Sequence, residues 1–300
     1  MREKVVDSKG RVHKLRAAKN VRLNRSRGGD ISIAVILTCF GFLMAIPMIY
    51  AISQSLKPLD ELWMFPPRFL VRNPTLKNFS DLFSLMSSSW VPVSRYIFNT
   101  VLISFVGTGG HLVFASMAAY ALSKHKFRGR TVIFETIVLS LMFSTAVTAV
   151  PNFLIISKLG MMNTYWALIL PAFSSSMGLY LMKQFMEQMV PDTVLEAARI
   201  DGSGEFRTFW SIVMPMVKPG WLTLIVFSFQ GLWNSGSTNL IQKEQLKALN
   251  YALSQVVNGG VTRAGAAAAG MVVMMIVPII MFLVTQSNII ETMSTSGMKD

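Results

Sequence analysis

The sequence predicts an all-α integral membrane protein: a bundle of six transmembrane helices carrying one long polar loop. Hydrophobic residues make up 52% of the 300-residue chain and charged residues only 14%, with a mean hydropathy of +0.48, whereas about a quarter of an ordinary soluble domain is charged. The apolar residues gather into six runs, at about 31–55, 95–122, 131–157, 164–189, 218–241 and 265–287. A helix needs about 20 residues to cross a hydrocarbon core, and these runs are that long. Lipid cannot hydrogen-bond the backbone, so runs of this length are read as helices and not as single strands. Three parts result: a basic leader (1–30), the helical bundle (31–290) and a short tail (291–300).

The leader sets the orientation. Ten of the 28 basic residues of the chain lie before residue 31, against Glu3, Asp7 and Asp30, and the positive-inside rule places such a segment in the cytoplasm. This accounts for the net charge of +13 better than a nucleic-acid surface does, because no stacking aromatics interleave the charges. The leader's high charge and few apolar residues also suit partial disorder. The first run is longer than the apolar core of a signal peptide and no small-residue cleavage site follows, so it is read as a retained span. Its Cys39 is the lone cysteine of the chain, which leaves no internal disulfide or cysteine metal cluster.

Between the first and second runs, Lys57–Pro67 combines prolines and aromatics, which favours an ordered interfacial excursion, and Asn73–Phe79 can start a short helix. In the second run Gly107, Gly110 and His111, and in the last Gly265–Gly270, place small residues where helix backbones can approach closely. His111 has no second His or carboxylate at ligand spacing, so it reads as a packed residue and no metal site is expected. The basic loop 124–130, the long loop 190–217 and the carboxyl tail then share the cytoplasmic side with the leader. Loops 56–94, 158–163 and 242–264 face outward. Glu135, near the cytoplasmic end of its run, reads as interfacial.

The loop 190–217 is the most informative segment. Thr193 and Glu196 match a capping box, Gly202 supplies a stop, and about two helical turns lie between them, too few to be stable without outside contacts. Beyond Gly202, Phe206, Phe209, Trp210 and Val213 fall at helical spacing and predict a second helix with an apolar stripe against the bundle. Pro215 is expected to end or kink it, and Pro219-Gly220 to set the entry into the fifth span.

Written out, Glu196-Ala197-Ala198, three residues, Gly202, nine residues, Ile212, one residue, Met214-Pro215 resembles the cytoplasmic signature loop of bacterial ATP-binding-cassette importer permeases; Met214 stands where Leu is usual. The outer loop 57–79, Trp233-Asn234 and the tail resemble the carbohydrate, maltose-type branch, although the usual Leu-Thr-x-Gly of the tail is here Met293-Ser294-Thr295-Ser296-Gly297. The resemblance implies the type I importer permease fold in a bacterial cytoplasmic membrane, with both termini in the cytoplasm. It also implies a role in docking an ATPase for Glu196, Ala197, Ala198, Asp201, Gly202 and Pro215. The implied partners are a homologous second permease, two ATPase subunits and an extracytoplasmic sugar-binding protein. ATP and Mg would be used by the ATPases, with no cofactor on this chain.

A hydrated sugar needs donors, acceptors and aromatic faces and no countercharge, so uncharged polar residues of the runs are the pathway candidates: Asn152, Ser174–Ser176 with Ser175 central, Gln230, Trp233, Asn234 and Asn239. The scarcity of charge inside the runs weighs against an ion-coupled secondary transporter. No phosphate-binding Gly-x-x-x-x-Gly-Lys-Ser/Thr, zinc-protease or nucleophile-elbow motif occurs, so no catalytic residue is expected. A permease for peptides or polyamines, a secondary transporter and a scaffold that recruits a soluble protein are the competing readings.

Overall fold

A computed structural model describes residues 4–6, 12–14, 27–87, 90–235 and 239–296. By its internal contacts the chain falls into two bodies, Met1–Tyr50 and Ala51–Asp300. The first contains a hairpin, β1 (Lys4–Val6) paired antiparallel with β2 (Val12–Lys14), and most of helix α1 (Arg27–Leu56). The hairpin lies within the leader, for which composition suggested partial disorder; residues 7–11 and 15–26 are outside the described set. Helix α1 begins four residues ahead of its apolar run and leaves nearly all of its large side chains exposed.

The second body is built around α4 (Val93–Lys124). The helices α7 (Trp166–Phe173), α8 (Ser176–Met189) and α12 (Lys218–Trp233) pack along it, and α14 (Ala264–Ser296) packs on α12. Glycines mark the closest approaches: a methyl group added at Gly107 would meet Leu232, at Gly110 Phe173, and at Gly178 both His111 and Leu224. Apolar cores form at both ends of α4. One joins Ala119 and Tyr120 to Met182, Met186, Phe209 and Val213. The other joins Tyr96 to α3 (Lys77–Ser87), α13 (Leu249–Val257) and the start of α14.

Helices are present in all six runs, but two of the runs are each divided into two helices and the helix of a third is shorter than expected. Among the described residues, three continuous helices are long and apolar enough to cross a membrane, Gly28–Leu56, Val93–Lys124 and Ala264–Gln286, and the number rises to five if each bent pair is one span. The 131–157 run is α5 (Arg130–Ser140) and α6 (Thr145–Lys158), bent by 113°. The 164–189 run breaks at Ser174-Ser175 between α7 and α8. The fifth run ends at Trp233, short of its expected limit at 241, and meets the preceding segment Glu205–Met216 at 82°. Pro151, Pro171 and Pro278 all sit inside helices, so proline alone does not place the breaks.

The 57–79 excursion is ordered, as its prolines and aromatics suggested, and buried charge holds it. Lys57 donates to the Arg68 carbonyl, while the Glu61 carboxylate accepts from the backbone N–H of Arg72 at 2.9 Å and of Asn73 at 3.4 Å. Asn78 Nδ2 donates to the carbonyls of Ser55 and Lys57 at 2.8 and 2.7 Å. A short helix, α3, does follow Asn73, starting at Lys77. Farther along, buried Asn99 donates to the Gln245 and Lys247 carbonyls and accepts from the Tyr165 hydroxyl, fixing the 242–248 loop to α4. These satisfied polar groups are costly to bury and specific once paired.

A candidate partner-docking loop

The polar loop forms α9 (Asp192–Ile200), followed by a tight turn, α10 (Glu205–Thr208), a π-helical turn Phe209–Val213 and α11 (Met214–Met216). The expected capping box does not form. The N-cap is Pro191 at φ −65°, two residues ahead of Thr193, and it makes no side-chain cap. Asp192 turns to Lys124 at 2.9 Å, and that hydrogen bond, then the charge of Lys124, holds its carboxyl below the ordinary carboxylate range. The carboxy-terminal stop is as expected. Gly202 sits at φ +73°, and the bonds Ser203 N–H to Ala198 O (2.9 Å) and Gly202 N–H to Arg199 O (3.0 Å) close a Schellman motif.

Spacing decides what α9 shows. Leu195 points into the core under α4 and Ala198 is buried too, while Glu196, Ala197, Arg199 and Ile200 are exposed with Asp201 and Gly202. Ile200 is 87% exposed, an unusual position for a large apolar side chain on an otherwise polar helix. The stripe expected on the next segment is only half realised: Phe209 and Val213 are buried, but Phe206 is 70% exposed and Trp210 partly so. The apolar positions thus split between two i, i+4 pairs, Phe209 and Val213 in the core and Phe206 and Trp210 on the outer side. Pro215 is exposed inside α11 and the chain turns two residues later at Val217; the kink thus falls beyond the proline.

The end of α4 holds α9 at both ends. At the start, Lys124 donates to Asp192 and to the Val190 carbonyl. Past the Gly202 turn, one carboxylate oxygen of Glu205 accepts from the Tyr120 hydroxyl at 2.9 Å and lies 3.5 Å from His125 Nε2. The other accepts from Arg199 Nη2 at 3.2 Å. Tyr120 is buried, edge-on to His125 and tilted against Phe209. Sequence reasoning passed over Tyr120 and Glu205 because they lie 85 residues apart; nothing in the spacing joins them.

The pathway candidates do not converge. Asn152 lies with Ser174 on an apolar cleft of about 490 Å³ between α4, α6 and α7. Ser175 lies on a second cleft, of about 360 Å³, with His111, Gly178 and Ser228. Gln230 and Asn234 are exposed one turn apart at the end of α12, where the Asn234 N–H donates to the Gln230 carbonyl at 3.1 Å, and Asn239 is exposed beyond it. Two candidates serve as ties: Trp233 Nε1 donates to the Met274 carbonyl at 3.1 Å, and the Asn234 carbonyl accepts from Asn250. His111 is packed, as its isolation suggested, with Nδ1 3.0 Å from the Ser228 hydroxyl and its ring against Gly178. Glu135 is exposed. The methionine-rich tail lies in the end of α14 through Ser296, beyond the residues whose side chains are described.

Comparison with known proteins agrees with this arrangement. The chain is 33% identical over 215 residues to the sn-glycerol-3-phosphate transport system permease protein UgpE of Yersinia enterocolitica, covering 71% of this chain and 75% of that one. It is 31% identical to Protein LplC of Bacillus subtilis over 68% of this chain and 67% of that one. It is also 27% identical to the arabinooligosaccharides transport system permease protein AraQ of Halalkalibacterium halodurans, covering 86% and 92%. Its fold matches a chain of a bacterial ABC transporter that imports the acidic polysaccharide alginate, at a TM-score of 0.72 and 23% identity over 88% of this chain and 99% of that one. Residues 111–293 match the family described as binding-protein-dependent transport system inner membrane component; the chain belongs to that family.

Proposed function

We propose that this chain is one of two homologous permeases in an ATP-driven importer that carries a sugar or oligosaccharide inward across a bacterial cytoplasmic membrane, the leader and the α9 loop facing the cytoplasm. The observation that carries the reading is the form of α9: a nine-residue helix, too short to stand alone, anchored to α4 and displaying Glu196, Ala197, Ile200 and Gly202 outward. Such a helix suits a cleft on a soluble partner, and two ATPase subunits using ATP and Mg are the partners the family resemblance implies. An extracytoplasmic binding protein would deliver substrate on the opposite face. The relative named for arabinooligosaccharides and the alginate transporter support the carbohydrate assignment. Asn152, Ser175, Gln230, Trp233, Asn234 and Asn239 remain the proposed path contacts.

Proteoliposomes containing this chain, the permease and ATPase subunits encoded with it, and the matching binding protein provide the test. ATP hydrolysis is measured with arabinan-, pectin- and alginate-derived oligosaccharides and with sn-glycerol 3-phosphate. Stimulation by an oligosaccharide class supports the reading. Stimulation by glycerol phosphate alone would redirect the substrate assignment, and failure of the ATPase to associate would overturn the importer reading itself.

A further inference from the structure

Within the loop, the polar contacts between α9–α10 and the bundle converge on one helix end. Lys124 takes the start of α9 through Asp192 and the Val190 carbonyl. Tyr120 and His125 take its far side through Glu205, whose second oxygen is bonded to Arg199 in the last turn of α9. The Glu205 carboxylate therefore joins three segments: the end of α4, the end of α9 and the start of α10. Because α9 has only nine residues, fixing both of its ends fixes its axis. Helix α4 in turn packs along α7, α8 and α12, so whatever moves its cytoplasmic end moves the centre of the bundle.

We propose that Glu205 is a positioning residue that couples α9 to α4, so that displacement of α9 by a nucleotide-driven partner is delivered to the bundle through the last turn of α4. The proposal rests on the docking role of α9 given above. The side chains of Arg199 and Glu205 are each about half exposed, and ion pairs in such places contribute little to stability. Removal of the carboxylate should therefore leave the fold and partner docking intact while breaking the transmission. The buried Tyr120 hydroxyl adds direction, because it can reach Glu205 only with α9 seated against α4.

Amide hydrogen exchange on the whole importer, with and without ATP plus vanadate, separates the possibilities without a known substrate. In the wild type, nucleotide should change exchange in both α9 and the 117–125 segment of α4. In Glu205→Ala, the α9 response is expected to persist and the α4 response to be lost; Tyr120→Phe should weaken it in the same direction. Glu205→Gln, which retains an acceptor for Tyr120, should recover much of it. An unchanged α4 response in an assembled Glu205→Ala complex overturns the proposal. Loss of both responses also overturns it, because Glu205 would then be a contact of the ATPase. Absence of any α9 response in the wild type would instead refute the docking role.

Discussion

The Gly202 turn shows how one backbone angle can govern a binding element. A methyl group added there would meet nothing within 4 Å, so its requirement for glycine comes from φ +73° and not from crowding. A residue with a Cβ costs about 1–2 kcal/mol in that conformation, while Asn tolerates it better. ATPase co-purification should therefore fall in the order Gly, Asn, Ala, Val; if docking were limited by bulk, Ala would outrank the larger Asn. Asp192 offers a test by pH. Its depressed carboxyl pKa, due first to the Lys124 hydrogen bond, means its contribution is present above the ordinary value near 3.9 and is lost as pH falls through the lower folded value. The difference in thermal midpoint between wild type and Asp192→Asn should be constant from neutral pH to about pH 5 and vanish under more acid conditions. The Gly202 stop was legible because a Schellman turn has a local signature. The capping box was misread because Pro191 starts the helix by its fixed φ and a lysine 68 residues away takes the aspartate.

Helix breaks are the element-scale features that hydropathy hides. The runs at 131–157 and 164–189 are continuous in composition, yet the first bends by 113° and the second opens at two serines, where the Ser176 hydroxyl pairs with Ser140 at 2.6 Å. Averaging apolar character along a run registers its length and is blind to such partners. Packing at the breaks is correspondingly tight. The start of α8 approaches α4 so closely that a methyl group at Gly178 would lie 2.1 Å from His111 Nε2 and 2.7 Å from Leu224. Overpacking of this kind costs about 1–3 kcal/mol. Gly231, in α12, has open space around it, and replacing a helical glycine by alanine there should gain about 0.5–1 kcal/mol. The unfolding midpoint in detergent should therefore drop for Gly178→Ala and rise for Gly231→Ala. Equal effects would mean that the α4–α8–α12 contact does not limit stability.

At the scale of the whole molecule, charge asymmetry and the bent helices bear on the same question, the path of the chain through the membrane. The positive-inside rule puts the basic loop 124–130 and the α9 loop on one side. Between Lys126 and the start of α9, which ends beside Asp201, lie only the bent pair α5–α6 and the broken pair α7–α8. If both pairs cross, Lys126 and Asp201 share a side, while Gly160 and Asn258 share the other. If the 113° bend makes α5–α6 a re-entrant loop and α7–α8 crosses, Gly160 joins Lys126 and Asp201 moves to the opposite face. Sequence runs cannot separate these cases, because both consume the same apolar residues; family membership favours the first. Cys39→Ser leaves a chain without thiols, and single cysteines at 126, 160, 201 and 258 can then be labelled with a membrane-impermeant maleimide in intact spheroplasts. The expected pattern is labelling at 160 and 258, with 126 and 201 reacting only after permeabilisation. Labelling at 201 without 160 would make α5–α6 re-entrant and would place α9 out of reach of a cytoplasmic ATPase, so this pattern tests the fold and the coupling role together.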